Sequence, residues 1–342
     1  MERTRTALTR SWRVALSLLW TAGWLLWAHG GSPAVAGSPA VGSTRDVTCT
    51  YLAQVHHLPQ DARRIHVWVP LAKTGQEQRI LRRDVRAPVP YTIAQDPDYD
   101  NEMLHATLEP PIPEQVEIAI EYRAQLLRAD PTVAAPSPSP IDIQRNLQAS
   151  GLVIIDDDVR ARARQATAGR RTRMAQARGI YDYVRQVMAY DKTTPGWGRG
   201  DTHRACLLGK GNCTDFHSLF ISMARAQHIP ARFKIGVVIP QQPSGVVPGY
   251  HCWAEFYIPG RGWIPVDASE AWKHPELADY YFGAHDPNRL LISVGRAIRL
   301  TPRQQGEPAN LFFSPYVEVD GRAFSDVGVE VRFTDLQQER VT

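Results

Sequence analysis

Gly211-Asn-Cys213-Thr-Asp-Phe-His-Ser-Leu-Phe220 is the stretch where the chain passes from a turn-rich tract into a helical period. Upstream, Thr193–Asn212 is crowded with glycine and turn-forming residues, which predicts a loop crossing the surface. Downstream, Phe216, Leu219, Phe220 and Met223 fall on one face of a helix that opens at Cys213 and turns an apolar stripe to the core. A cysteine at a helix start is chemically distinctive. The thiolate is the nucleophile, and unpaired N–H groups and the helix dipole both favour the anion there.

A thiolate needs a partner to take its proton. The segment Trp253–Ile258, the turn Pro259-Gly260-Arg261-Gly262 and Trp263–Asp267 read as a hairpin. His251, at its beginning, is the candidate base. Asp267, ending the partner strand, is the candidate group that fixes the imidazole's tautomer and orientation. Facing residues 251 and 267 directly would centre the hairpin on residue 259, whereas the written turn centres beyond it. A bulge or wider loop is therefore expected to correct the register.

Moving outward, Ile65, Val67 and Val69, and later Val116, Ile118, Ile120 and Tyr122, alternate with more polar residues. This period of two predicts an antiparallel β domain over residues 37–130. Asp96, Asp98, Asp100 and Glu102 are spaced like a calcium loop, but Asn101 and Thr107 stand where glycine and glutamate are required, so a solvated acidic turn is expected. Residues 131–140 form a Pro-rich linker. The catalytic region spans 141–300, with helices after Asp156–Asp158 and along Ala177–Met188, and 301–342 is a C-terminal β extension with two or three strands around Asp320-Gly321.

The first 36 residues run from basic, through the apolar stretch Val14–Ala28, to Ala34-Val35-Ala36, the order of a secretory signal peptide. The apolar stretch is short for a membrane span. Arg3, Arg5, Arg10 and Arg13 against Glu2 supply three of the four net positive charges, leaving no basic footprint for nucleic acid in the remainder. A periplasmic or secreted protein with no membrane span after signal cleavage is expected. Four cysteines (Cys49, Cys206, Cys213, Cys252) in an exported chain allow three disulfide pairings, and a core from 342 residues does not require any of them. His203, Cys206, Cys213 and His217 are zinc-type ligands, but more tightly spaced than common zinc-finger sets. Trp253 and Trp263 read as packing residues, and Trp197 as a loop aromatic able to line a groove or donate its indole N–H.

Four blocks then fall in order: Gly211-Asn-Cys213; Arg225-Ala-Gln-His-Ile-Pro-Ala-Arg232; His251-Cys-Trp253-Ala-Glu255; and Gly262-Trp-Ile-Pro-Val-Asp267. Together they resemble the transglutaminase-like superfamily across roughly residues 170–300. One departure is His228, where that family usually carries glycine. The resemblance implies an α+β fold with a papain-like core, Cys213 as nucleophile, His251 as base and Asp267 as orienter. It also implies acyl transfer or hydrolysis at amide bonds of a protein or peptide substrate, cell-wall peptides included, with no cofactor. Hydrolysis is preferred to cross-linking, since water is the default acceptor unless a site excludes it. The family also holds inactive members, so a binding or scaffold protein of the same fold is the alternative, with labelling of Cys213 as the discriminator.

Overall fold

The computed structural model describes residues 44–129 and 137–336. Segment 1–36, read above as a signal peptide, lies outside these residues, as does most of the Pro-rich stretch 131–140. The fold is α+β with largely antiparallel sheets.

Two five-stranded sheets form the β part. One has the order Ser244–Val246, Val327–Asp335, Thr44–Val55, Val116–Leu127, Gln78–Arg86. The other runs Arg322–Phe324, Tyr316–Val319, Ile65–Leu71, Glu102–Leu108, Tyr91–Gln95. Strand Thr44–Val55 alternates strictly between half-buried and buried residues. Its inward Val47, Cys49, Tyr51, Ala53 and Val55 share one apolar cluster with Ile65, Val67 and Val69 of the second sheet. The C-terminal strands complete both sheets: Val47 faces Asp335, and Ile65 faces Val319. Residues 316–335 thus contribute to the sheets begun by the N-terminal strands.

The third sheet has four strands in the order Gly262–Val266, His251–Ile258, Ala231–Val238, Arg289–Val294. The helix Cys213–Ala226 packs against it. Helices Asp157–Thr167, Arg173–Val187 and Thr202–Leu208 surround that helix. Every residue from Cys213 to Arg225 is consequently buried, where the sequence pattern predicted a single apolar stripe. The polar residues on its other faces are tolerated because they are paired. Ser222 hydrogen-bonds Thr202 at 2.8 Å, Arg296 donates to Ser218 at 2.6 Å, and Arg225 donates to the carbonyl of Ala231 at 2.9 Å. The tract read as a loop also holds a helix, Thr202–Leu208. Asp201 caps its start and Gly209, at φ 56°, ends it in the left-handed region.

The two parts meet through a buried ionic cluster. Lys234 donates to Glu77 at 2.7 Å and to Glu255 at 2.5 Å, Arg232 donates to Glu255 at 2.6 Å, and His285 contacts Glu77 at 3.1 Å. Glu77 precedes a strand of the first sheet, whereas Lys234 and Glu255 lie on the third.

Candidate active site

Cys213 is the first residue of its helix. Asn212 caps it, accepting from the Thr214 amide at 2.9 Å, and the Asp215 carboxylate accepts in return from the Asn212 amide at 2.9 Å. The same carboxylate takes the amides of Gly198 (2.8 Å) and Gly200 (3.0 Å), pinning the preceding loop beside the thiol. Gly211 is required by this close packing, because a Cβ there would lie 2.2 Å from the Asp215 carboxylate.

The structure brings Cys213, His251 and Asp267 together. His251 Nε2 is 2.6 Å from Asp267 Oδ2, which leaves Nδ1 free of that carboxylate, and the imidazole lies close enough to the Cys213 thiol for each to shift the other's proton affinity. The expected bulge is absent. Ala254 faces Val266 in an unbroken hairpin, so one step further Asp267 comes opposite Trp253, not His251. Contact is made on the diagonal, which same-face neighbours two residues apart permit. Asp267 has also left the strand, and as N-cap of the helix Ala268–Lys273 it accepts from the Glu270 amide at 2.9 Å.

Charges at the site reinforce one another. Burial alone would push the Cys213 thiol up, but hydrogen bonds with Cys252 and His251 and the charge of His251 hold it well below the ordinary thiol value. Burial disfavours the charged imidazole, yet the Asp267 carboxylate outweighs it and raises His251 to about 10. Burial likewise opposes ionisation of Asp267, and the His251 and Arg289 charges overcome it. The favoured state is therefore a thiolate beside an imidazolium.

Four residues at the site were not assigned a part by sequence. Arg289 donates through Nη1 to Asp267 Oδ2 at 2.6 Å and stacks over Trp253, whose ring lies parallel to that of His251. His217, one helical turn after Cys213, bridges the Cys213 carbonyl (2.7 Å from Nδ1) and the Ala268 amide, which donates to Nε2 at 3.1 Å. That pattern fixes a neutral ring protonated on Nδ1, and burial lowers its pKa accordingly. Cys252 is buried against the site, its sulfur 3.3 Å from Thr214 Oγ1. Glu270 reaches within 4.0 Å of His251 Nδ1. The spacing of His217 from Cys213 was a usable signal, whereas nothing local marked Arg289.

The zinc-type set does not converge. His203 is bound to Asp156 at 2.5 Å, and both ring nitrogens of His217 are occupied. Among the described residues no cluster of three or more metal-ligating side chains occurs. The four cysteines are free thiols.

The sequence profile of the transglutaminase-like superfamily matches residues 160–268. An uncharacterized protein of Haemophilus influenzae is 29% identical over 214 residues, covering 53% of this chain; the chain spans 58% of that relative's length. Among solved structures, a candidate cysteine protease from Cytophaga hutchinsonii superposes with a TM-score of 0.59 at 16% identity, over 86% of this chain and 91% of that one, which shows a shared fold. The periplasmic domain of TgpA from Pseudomonas aeruginosa matches at a TM-score of 0.36 and 16% identity, over 71% and 98%.

Proposed function

We propose that this protein is an exported thiol enzyme that cleaves or transfers acyl groups at amide and peptide bonds through Cys213, His251 and Asp267. One observation carries the reading: His251 is bound through Nε2 to the buried Asp267 carboxylate and lies beside the Cys213 thiol at the start of its helix.

The thiolate of Cys213 attacks the carbonyl carbon of the scissile amide. The developing oxyanion meets the Cys213 amide, one of the first-turn N–H groups of the helix that lack an intrahelical acceptor. The imidazolium of His251 gives its Nδ1 proton to the departing amine, leaving a thioester and neutral imidazole. His251 then takes a proton from water as the water attacks the thioester, releasing the acid and restoring the thiolate–imidazolium pair. Asp267 keeps the ring in place throughout. An amine replacing the water makes the reaction a transamidation; hydrolysis is the preferred outcome because water needs no binding site of its own.

Export is supported by the order of basic, apolar and small residues in the first 36 positions. No described helix is long and apolar enough to cross a membrane. Peptides of the cell envelope are the substrates such a location offers. The test is release of amines from peptide and cell-wall fractions by the wild-type protein against a Cys213→Ala control. Activity indifferent to that substitution refutes the assignment, and an active-site electrophile that fails to label Cys213 favours a binding protein of this fold.

A further inference from the structure

The surface beside His251 carries a strip of side chains to which the proposed mechanism gives no part. It begins at Glu270, 4.0 Å from His251 Nδ1. Lys273 pairs with Glu270 at 2.7 Å and places its ammonium 4.1 Å from the Tyr190 ring centre. The Lys192 ammonium sits 6.0 Å from the Tyr190 ring centre and 5.9 Å from that of Trp197. Trp272 stacks on Tyr190 at 6.4 Å. Tyr190 is half-buried with its ring 6.2 Å from that of Phe216 on the Cys213 helix, whereas Lys192, Trp197, Trp272 and Lys273 are all exposed.

The charges on the strip are unevenly satisfied. Glu270 is taken up by Lys273. Asp191 points into its own turn, accepting from the Thr193 amide at 2.6 Å and hydroxyl at 2.7 Å and from Thr194. Lys192 has aromatic faces beside it but, among the described residues, no carboxylate within ion-pairing distance. An exposed indole and the Tyr190 ring beside an uncompensated ammonium provide a flat apolar contact and a cation together, the combination that seats an acidic side chain and its neighbour on a peptide.

We propose that this strip is a substrate subsite that selects peptides bearing a carboxylate near the scissile bond, with Lys192 receiving the carboxylate and Trp197 the adjoining side chain. The proposal rests on the thiol-enzyme reading above. Exposed charge pairs of this kind discriminate modestly, by about threefold for one ammonium.

The test uses tripeptide vinyl sulfones in which Glu or Gln occupies each position in turn. The thiolate of Cys213 adds to the vinyl β-carbon and the α-carbon takes a proton, so saturation kinetics separate binding from the covalent step. For at least one position the wild-type protein binds the Glu probe more tightly than its Gln counterpart. Lys192→Gln removes that preference, weakening the Glu probe about threefold while leaving the Gln probe and the limiting inactivation rate unchanged. Equal affinity of the wild type for Glu and Gln at all positions overturns the subsite, as does a Lys192→Gln effect of the same size on both probes. Failure of every probe, and of iodoacetamide, to label Cys213 overturns the thiol-enzyme reading and the subsite with it.

Discussion

Arg289 and His251 share one oxygen: Nη1 of the first and Nε2 of the second each lie 2.6 Å from Asp267 Oδ2. The carboxylate is thus balanced by two cations, one permanent and one able to give up its proton. Arg289 is fully buried, so truncating it leaves Asp267 with half its compensation. Arg289→Met is expected to destabilise the fold by about 3–5 kcal/mol, with Arg289→Lys recovering part of the loss, measured by denaturant unfolding.

The thiolate–imidazolium pair should show in a pH–rate profile of alkylation. Cys213 is expected to react with iodoacetamide at pH 6 almost as fast as at pH 8, whereas Cys49, pushed to about 12, and Cys206, raised to about 11 by burial, stay slow at both. His251→Ala should cut the pH 6 rate at Cys213 by at least about tenfold, the equivalent of one unit of restored pKa. Asp267→Asn should cut it less. A Cys213 rate indifferent to His251 sinks the mechanism.

The same pair has a thermodynamic signature. His251 rises from 6.5 to about 10 on folding, so its contribution to stability is full below 6.5 and is lost as pH climbs through 10. Melting curves of the wild type and His251→Gln should therefore converge as pH is raised from 7 toward 10. A constant gap between them across that interval contradicts the assigned shift.

Cys252 supports the thiolate from the other side. Its substitution by alanine removes the neighbouring thiol, one of the influences that hold the Cys213 thiol down, so the pH 6 alkylation rate should fall while labelling remains specific to Cys213. An unchanged rate would make Cys252 a packing residue only.

His228 offers a stability test away from the site. It adopts φ 56° just after the helix Cys213–Ala226, a left-handed conformation that glycine takes without strain. His228→Gly is expected to raise stability by about 1 kcal/mol, read as a higher denaturation midpoint with unchanged slope.

The parts of this molecule that were legible in sequence are those set by local rules. The helix start at Cys213, the strands around His251 and the alternation of Val116–Leu127 follow from periodicity and capping, and the structure has each of them. The contact between His251 and Asp267 was legible as a pairing but not as a geometry. It depends on Asp267 turning out of its strand to cap a helix, which hairpin spacing does not encode. The burial of the Cys213 helix on every face was hidden because Thr214, Ser218 and Ser222 look like solvent residues until their partners are known. Arg289 was invisible for the same reason: a lone arginine between turn and strand carries no local mark of the carboxylate it will meet. The helix Thr202–Leu208 was there to be read in Asp201 and Gly209, but the glycines around it outweighed those caps.

The strand Thr44–Val55 lies between Val116–Leu127 and Val327–Asp335, and Arg45 binds Asp335 across 290 positions of chain. One side of that strand therefore waits for almost the whole polypeptide before its backbone groups find partners. Until then it is an open edge rich in β-branched and aromatic side chains, the kind that templates aggregation. Loss of the last strand at any time has the same effect as its late arrival. A clip ahead of Val327 would uncover Thr44–Val55, make the chain prone to self-association through that edge, and do so without touching Cys213.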